Sequence, residues 1–255
     1  MTPITTNDLR ASYDRREFSF GNPAGKKVVL IGSCRIVPLL NCLRVYNAMH
    51  SNPFELLCFN PVEMWVGPGH HVSDGVNNIL SGYCMGEADF LVCEHLERCG
   101  VLNTVRSSEE NVYESLGCKP AVEIRLPNWN DIHIFDLETA MHDPGYAALG
   151  HEERVVEIRK NTAIHKARFL SHCRGSSFPE LETWVDDNWL KTRMGWLSNH
   201  PSRALWWRMF IHVAERMGLS ITPQLEKNSL CATDVYAPTG VALTKVDYEA
   251  NFWKF

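Results

Sequence analysis

The stretch that decides the fold runs Lys26-Lys27-Val28-Val29-Leu30-Ile31-Gly32-Ser33-Cys34-Arg35-Ile36-Val37-Pro38-Leu39-Leu40. Its first half is a continuous apolar, β-branched run stopped by a glycine. Such a run suits a strand buried on both faces, the habit of parallel sheets in α/β proteins. Beyond Arg35 the period changes, with Ile36, Leu39, Leu40, Leu43 and the Val45–Tyr46 pair recurring at spacings of three and four. That spacing predicts a helix, and Pro38 sits in its first turn, where a missing N–H costs nothing. Strand, tight turn, helix is the predicted order.

Working outward, 54–59 and 88–93 read as two further strands, and 121–125 and 132–135 as the last two. Residues 60–86, with proline, glycines and His70-His71, read as a loop plus a short helix. From 151 the character turns helical. Residues 151–172 place Val155, Ile158, Ile164, Ala167 and Leu170 on one side, and helices over 179–196 and 201–217 follow. Strands alternating with helices, then a run of helices, predict one α/β domain over 26–255 with a helical C-terminal half. A helical subdomain over 151–220 is compatible with that pattern, and residues 1–25 read as a polar N-terminal arm.

Composition narrows the class. The 255 residues are 45% apolar and 22% charged, which excludes collagen-like, coiled-coil and disordered chains. A chain of this size buries roughly 70–75% of its unfolded surface, so a core forms without staples. Twenty-five basic against thirty acidic residues give a net charge of −5, which argues against broad nucleic-acid binding. The polar start MTPITTNDLRASYDRREF lacks the apolar core of a signal peptide, and no apolar run is long enough for a bilayer span. A cytoplasmic protein is expected. The nine cysteines are odd in number and contain no C-x-x-C spacing, so neither a complete disulfide framework nor a zinc ribbon is expected. Cys42, Cys58 and Cys93 fall within helix or strand patterns and read as core.

Cys34 is different. Ligands of open α/β sheets bind outside the carboxyl ends of strands, where Gly32-Ser33-Cys34-Arg35 stands. A turn entering a helix offers free N–H groups to an oxyanion or phosphate, and the same helix start lowers the pKa of a thiol. Gly32 and Ser33 could supply oxyanion donors, and Arg35 a positive charge for an anionic donor group. The plain alternative is a small residue packed under a tight turn. Neither a dinucleotide fingerprint nor a P-loop has these glycine spacings.

A second element is Trp196-Leu197-Ser198-Asn199-His200-Pro201. Pro201 is predicted as the first helical residue, placing His200 at or beside the N-cap. There the helix field disfavours imidazolium and keeps the ring available as a base. The alternative is a cap with an ordinary surface histidine. Glu94-His95 follow the third strand and could reach the same cleft as base or substrate contact; a loop-anchoring hydrogen bond is the plainer reading. Arg174 could contact a phosphate or sugar, although a helix C-terminus favours a cation anyway. Asn199 joins these as a candidate substrate contact. His70, His71 and Asp74 could be imagined as metal ligands, but the spacing is weak and no metal is expected.

The G-S-C-R turn and the downstream S-N-H-P-x-x-x-L-W-W helix start together resemble the WcbI-like capsular-polysaccharide-biosynthesis acetyltransferases, which carry a Gly-Asn-Cys-Gln turn and an Asn-His-Pro helix start. The turn is also similar to that of the GSCFA proteins of the wider SGNH/GDSL-like hydrolase set, whose Gly-Asp-Ser places the nucleophile in the register of Cys34. The resemblance implies a flavodoxin-like (SGNH-like) three-layer α/β/α fold with a parallel sheet core, and acyl transfer from acetyl-CoA or another acyl-CoA to a sugar or polysaccharide precursor. It implies Cys34 and His200 as the catalytic pair. Ser33 and Arg35 depart from the family's asparagine and glutamine, and Leu197 stands where a D-x-x-H hydrolase has its aspartate. A thiolate can act with histidine alone. Direct transfer, with Cys34 only lining the site, is equally compatible. An esterase or deacetylase, or a noncatalytic carbohydrate- or nucleotide-binding protein, would use the same scaffold.

Overall fold

The computed structural model describes residues 19–31, 36–59, 86–94, 118–127, 134–197, 200–233 and 242–251. Five strands form one sheet: β1 (Ser19–Gly21), β2 (Lys26–Ile31), β3 (Phe54–Phe59), β4 (Gly86–Glu94) and β5 (Cys118–Leu126), in the order β1-β3-β2-β4-β5. β2 pairs in parallel with β3 from Lys26↔Phe54 to Ile31↔Phe59, and with β4 from Val28↔Phe90 to Ile31↔Cys93. β4 pairs in parallel with β5, ending at Glu94↔Leu126, while β1 runs antiparallel along the outer edge of β3.

The pleat explains the composition of these strands. Val28, Leu30, Leu56, Cys58, Phe90, Val92, Ile124 and Leu126 share one face and are all buried in the main core. On the other face Val29, Leu57, Leu91 and Cys93 are buried as well. Burial on both faces is what a continuous apolar run requires of a parallel strand. Lys27, Glu55 and Asp89 stand in one row nearer the amino ends of the strands, and the Lys27 amide donates to Asp89 at 2.8 Å.

Helix α1 (Val37–Met49) follows β2, with Pro38 in its first turn and Leu39, Leu40, Cys42, Leu43 and Tyr46 turned into the core. Buried Asn47 lies in its last turn. Its side-chain amide donates to the Phe54 carbonyl at 2.9 Å and its oxygen accepts the Phe54 amide at 3.1 Å. The side chain thereby does the work of a strand neighbour at the start of β3, beside left-handed Ser51 and Asn52. Gly21, at φ +92, lies so close that an added Cβ would meet the Phe54 carbonyl oxygen at 2.4 Å. This position admits only glycine.

The C-terminal half holds α2 (Asp136–His142), α3 (Pro144–Ala147), α4 (His151–Arg174), α5 (Leu181–Asn188), α6 (Arg203–Met217), α7 (Pro223–Thr233) and α8 (Lys245–Asn251), with a two-stranded β6 (Gly195–Leu197) and β7 (His200–Pro201). The apolar stripe of α6, from Leu205 and Trp206 through Met209, Phe210 and Val213 to Met217, joins the main core with Leu181 and Val185 of α5. The long α4 serves two cores. Phe169 and Cys173 enter the main one, and Val155 and Ile158 a smaller one with Tyr146, Val246 and Ala250.

Three sequence expectations are corrected. The polar arm contains a strand at its end, β1. No strand forms at Ile134–Phe135, because Phe135 instead precedes α2, whose first amide is capped from a distant carboxylate; residues 132–133 lie outside the described residues. The helix expected over 179–196 stops at Asn188, since the Asn188 carbonyl takes the amides of Lys191 and Thr192 in a turn and the chain then enters β6.

Candidate functional site

Omitting the antiparallel edge strand and renumbering, the four parallel strands stand in the order 2-1-3-4. In this order the first and third strands lie side by side, with the second strand on the other side of the first, and ligands of open α/β sheets bind outside the carboxyl ends of the strands at such a switch point. Here those strands are β2 and β4. They end side by side, with Ile31 paired to Cys93 and Glu94 one residue beyond. Gly32, Ser33, Cys34 and Arg35 occupy the connection from β2 to α1, and lie outside the described residues. Glu94 has its backbone in the ladder opposite Leu126, and His95 lies outside the described residues. The described flanks of both candidate segments therefore meet at the switch point.

The end of α4 is tied to the same edge of the sheet. Ser177 donates its amide to the Arg125 carbonyl at 2.8 Å and its Oγ accepts the Arg125 amide at 2.8 Å, one residue before the end of β5. Arg216 of α6 adds a bond to the Ser177 carbonyl at 2.8 Å. Arg174, just upstream, is exposed, and its Nε lies 3.1 Å from Oε1 of Glu182.

His200 does not stand at a helix cap. The cap of α6 is Ser202, whose hydroxyl faces the Leu205 amide at 3.5 Å, and the helix begins at Arg203. Pro201 lies in β7, opposite Gly195, and His200 is paired through its backbone with Leu197. A hydroxyl can accept an orphan amide of the first turn, which proline's apolar ring cannot, so the cap falls one residue after Pro201. The helix-field argument for His200 is correspondingly weaker. Asn199 lies outside the described residues. α6 itself packs on α1 and reaches β5.

Arg193 and the cluster beyond it gave no sequence signal. Arg193 donates through Nε to the Gly195 carbonyl at 2.7 Å, and its guanidinium carbon lies 4.8 Å from the centre of the Phe135 ring. Next to Phe135, Asp136 is buried and accepts from Tyr146 Oη at 2.7 Å, Arg154 Nε at 2.8 Å and Thr244 Oγ1 at 2.7 Å. Burial alone would raise the Asp136 pKa, but these bonds and the Arg154 charge hold it below the usual carboxylate value. Fully buried Asp247 goes the other way: burial raises it despite amide bonds from Thr244 and Asp136. Arg193 is lowered by burial, against the favourable fields of Asp247 and Tyr248.

The expected core cysteines Cys42, Cys58 and Cys93 are buried free thiols, and Cys173 joins them. Burial raises the Cys42 pKa far above the ordinary thiol range and pushes Cys173 up to about 12. Among the described residues no group of three His, Cys, Asp or Glu side chains could hold a metal; His70, His71 and Asp74 lie outside them. Among the described residues no helix is long and apolar enough to cross a membrane.

Sheet order defines an α/β protein whose four parallel strands carry one antiparallel edge strand. No protein-family model and no curated protein matches the sequence. Among solved structures the chain is similar to WcbI, described as a novel polysaccharide biosynthesis enzyme, in its native form without a disulfide bond between coenzyme A and one of its cysteines. The two share 12% sequence identity and superpose with a TM-score of 0.52 over 79% of this chain and 71% of that one. At that identity the likeness establishes a common fold.

Proposed function

We propose that this chain is an acyltransferase of the WcbI-like, SGNH-related kind, moving an acyl group from acyl-CoA to a hydroxyl of a sugar or polysaccharide precursor. The observation that carries the reading is the strand order, which sets the ends of β2 and β4 side by side at the switch point, flanking Gly32–Arg35 and Glu94–His95. The fold shared with WcbI, a protein described in connection with coenzyme A, supports the choice of donor.

In this reading the Cys34 thiolate attacks the thioester carbonyl while amides of Gly32 and Ser33 hold the developing oxyanion. Collapse of the tetrahedral adduct breaks the C–S bond to CoA, whose thiolate takes a proton from protonated His200. His200 then accepts the proton of the sugar hydroxyl as its oxygen attacks the acyl-cysteine, and Cys34 leaves as thiolate. Arg35 faces an anionic part of the donor, and Glu94, His95, Asn199 and Arg174 supply the acceptor side. The order of charges suits this part of the fold, because a helix start favours both a thiolate and an oxyanion.

Calorimetry of CoA binding tests the reading, with Arg35→Ala expected to weaken binding. Mass spectrometry after single turnover with acetyl-CoA is expected to find one acetyl group, on Cys34. Transfer without any adduct would leave direct attack by the hydroxyl, and ester cleavage independent of CoA would make the protein an esterase.

A further inference from the structure

Among the described residues β6 and β7 present the pairs Gly195↔Pro201 and Leu197↔His200, with a register shift between Gly195 and Leu197. A two-stranded ribbon of this size is not stable by itself in water, so its position is inherited from whatever grips it. Two grips are visible. The Ser202 amide donates to the Met194 carbonyl at 2.7 Å, and Arg193 Nε donates to the Gly195 carbonyl at 2.7 Å.

The second grip is anchored on a residue distant in sequence. The guanidinium of Arg193 lies over Phe135, which is fully buried. Phe135 in turn precedes Asp136, whose amide donates to Asp247 at 2.8 Å and whose carboxylate is held by Tyr146, Arg154 and Thr244. An arginine is suited to this place because its planar fork can stack on a ring while one N–H points sideways to a carbonyl. A lysine could donate the bond but would stack less well.

We propose that Arg193 is a positioning residue for His200, fixing the backbone of β6 and through it the paired β7. The inference rests on the acid–base role proposed above for His200. Arg193 acts through the Gly195 carbonyl and thereby sets where the histidine backbone lies. Misplacing a catalytic group by an ångström costs up to roughly 100-fold in rate.

The test is a double-mutant cycle on the full-length protein, with acetyl-CoA cleavage and p-nitrophenyl acetate turnover as probes. Arg193→Met, which keeps an apolar stem on Phe135, is expected to lower kcat roughly 10- to 100-fold, with KM for acetyl-CoA and Kd for CoA unchanged. Arg193→Lys should recover part of the loss. In a His200→Ala background neither substitution should cost anything more, because the group being positioned is gone. Losses that multiply in the double variant, or Arg193→Met turnover equal to wild type beside an impaired His200→Ala, overturn the role of Arg193 and leave that of His200 standing. Full activity of His200→Ala overturns the reading of His200 itself. If Arg193→Met fails to fold, Arg193→Lys carries the same cycle. A second readout needs no turnover: the His200 ring carbon resonance, assigned by its absence in His200→Ala, should move in Arg193→Met, and an unmoved resonance overturns the inference.

Discussion

The Asp247 carboxylate accepts the backbone amide of Asp136 at 2.8 Å across 111 residues of sequence, so the cap of one helix is the first-turn side chain of another. α2 has no cap of its own, since Phe135 offers no side-chain acceptor. A carboxylate is well placed there, because the first amides of a helix are orphaned and carry partial positive charge. Its other oxygen accepts the Thr244 amide at 2.8 Å. Asp247→Ala leaves these buried donors unpaired and is expected to cost about 2–4 kcal/mol. Asp247→Asn should cost less, as its carbonyl oxygen can still take one amide. Urea unfolding measures both, and an unchanged midpoint for the alanine variant would show the cap to be dispensable.

His212 gives a pH dependence. Its ring is buried on α6, stacked 5.5 Å from Phe178, with Nδ1 3.3 Å from Glu180 and 3.4 Å from Glu215. Burial, and then the Arg208 charge, lower its pKa, and the two carboxylates only partly offset them. The folded protein therefore binds fewer protons at this site than the unfolded chain. Its contribution to stability is present above the unfolded histidine pKa, about 6.5, and is lost as pH falls from there through the lowered folded value. Thermal unfolding of wild type and His212→Leu between neutral pH and pH 5 should show a flatter profile for the variant. Parallel profiles would sink the assignment.

Alkylation should separate the thiols. Cys42, Cys58, Cys93 and Cys173 are buried, and the raised values of Cys42 and Cys173 leave almost no thiolate at neutral pH. Iodoacetamide at neutral pH, followed by peptide mapping, is expected to spare these four while modifying Cys34 and stopping turnover. Rapid modification of Cys173 in folded protein would contradict the packing.

Asn47 is the fourth test. Asn47→Ala removes both bonds to Phe54 in a buried site and is expected to destabilise by about 2–3 kcal/mol, read as a shift in the urea midpoint at constant slope. Asn47→Asp keeps the acceptor but loses the donor to the Phe54 carbonyl. It should be no better than alanine, because it buries a charge.

Strands β2 to β5 and helices α1, α4 and α6 were legible because each is a run of apolar residues with one clear period. β1 was not, since three residues ending in glycine carry no period and are strand only because β3 has a free edge. Ile134 and Phe135 misled as the end of a strand, because Asp247, far downstream, captures the Asp136 amide for a helix. Leu197 and His200 had a weak local cue, two polar residues between paired positions, which the Asn-His-Pro motif obscured. The carboxyl end of β2 stood out in the sequence, but the strand order that sets β2 beside β4 did not, because nothing local encodes which strands become neighbours. Arg193 against Phe135 and Asp247 was not legible either, because no periodicity encodes contacts between residues so far apart in sequence.

The sharing of α4 between two cores bears on how this chain can be cut. The helix has 24 residues, about 36 Å at 1.5 Å per residue, and its first half is covered by Val246 and Ala250 near the carboxyl terminus. A shortened version ending before residue 242 would strip that cover from Val155 and Ile158, free the Asp136 amide and carboxylate from their downstream partners, and loosen the Phe135 floor beneath Arg193. α8 is thus a closing wedge, and a tag or fusion is better placed beyond it than in its stead.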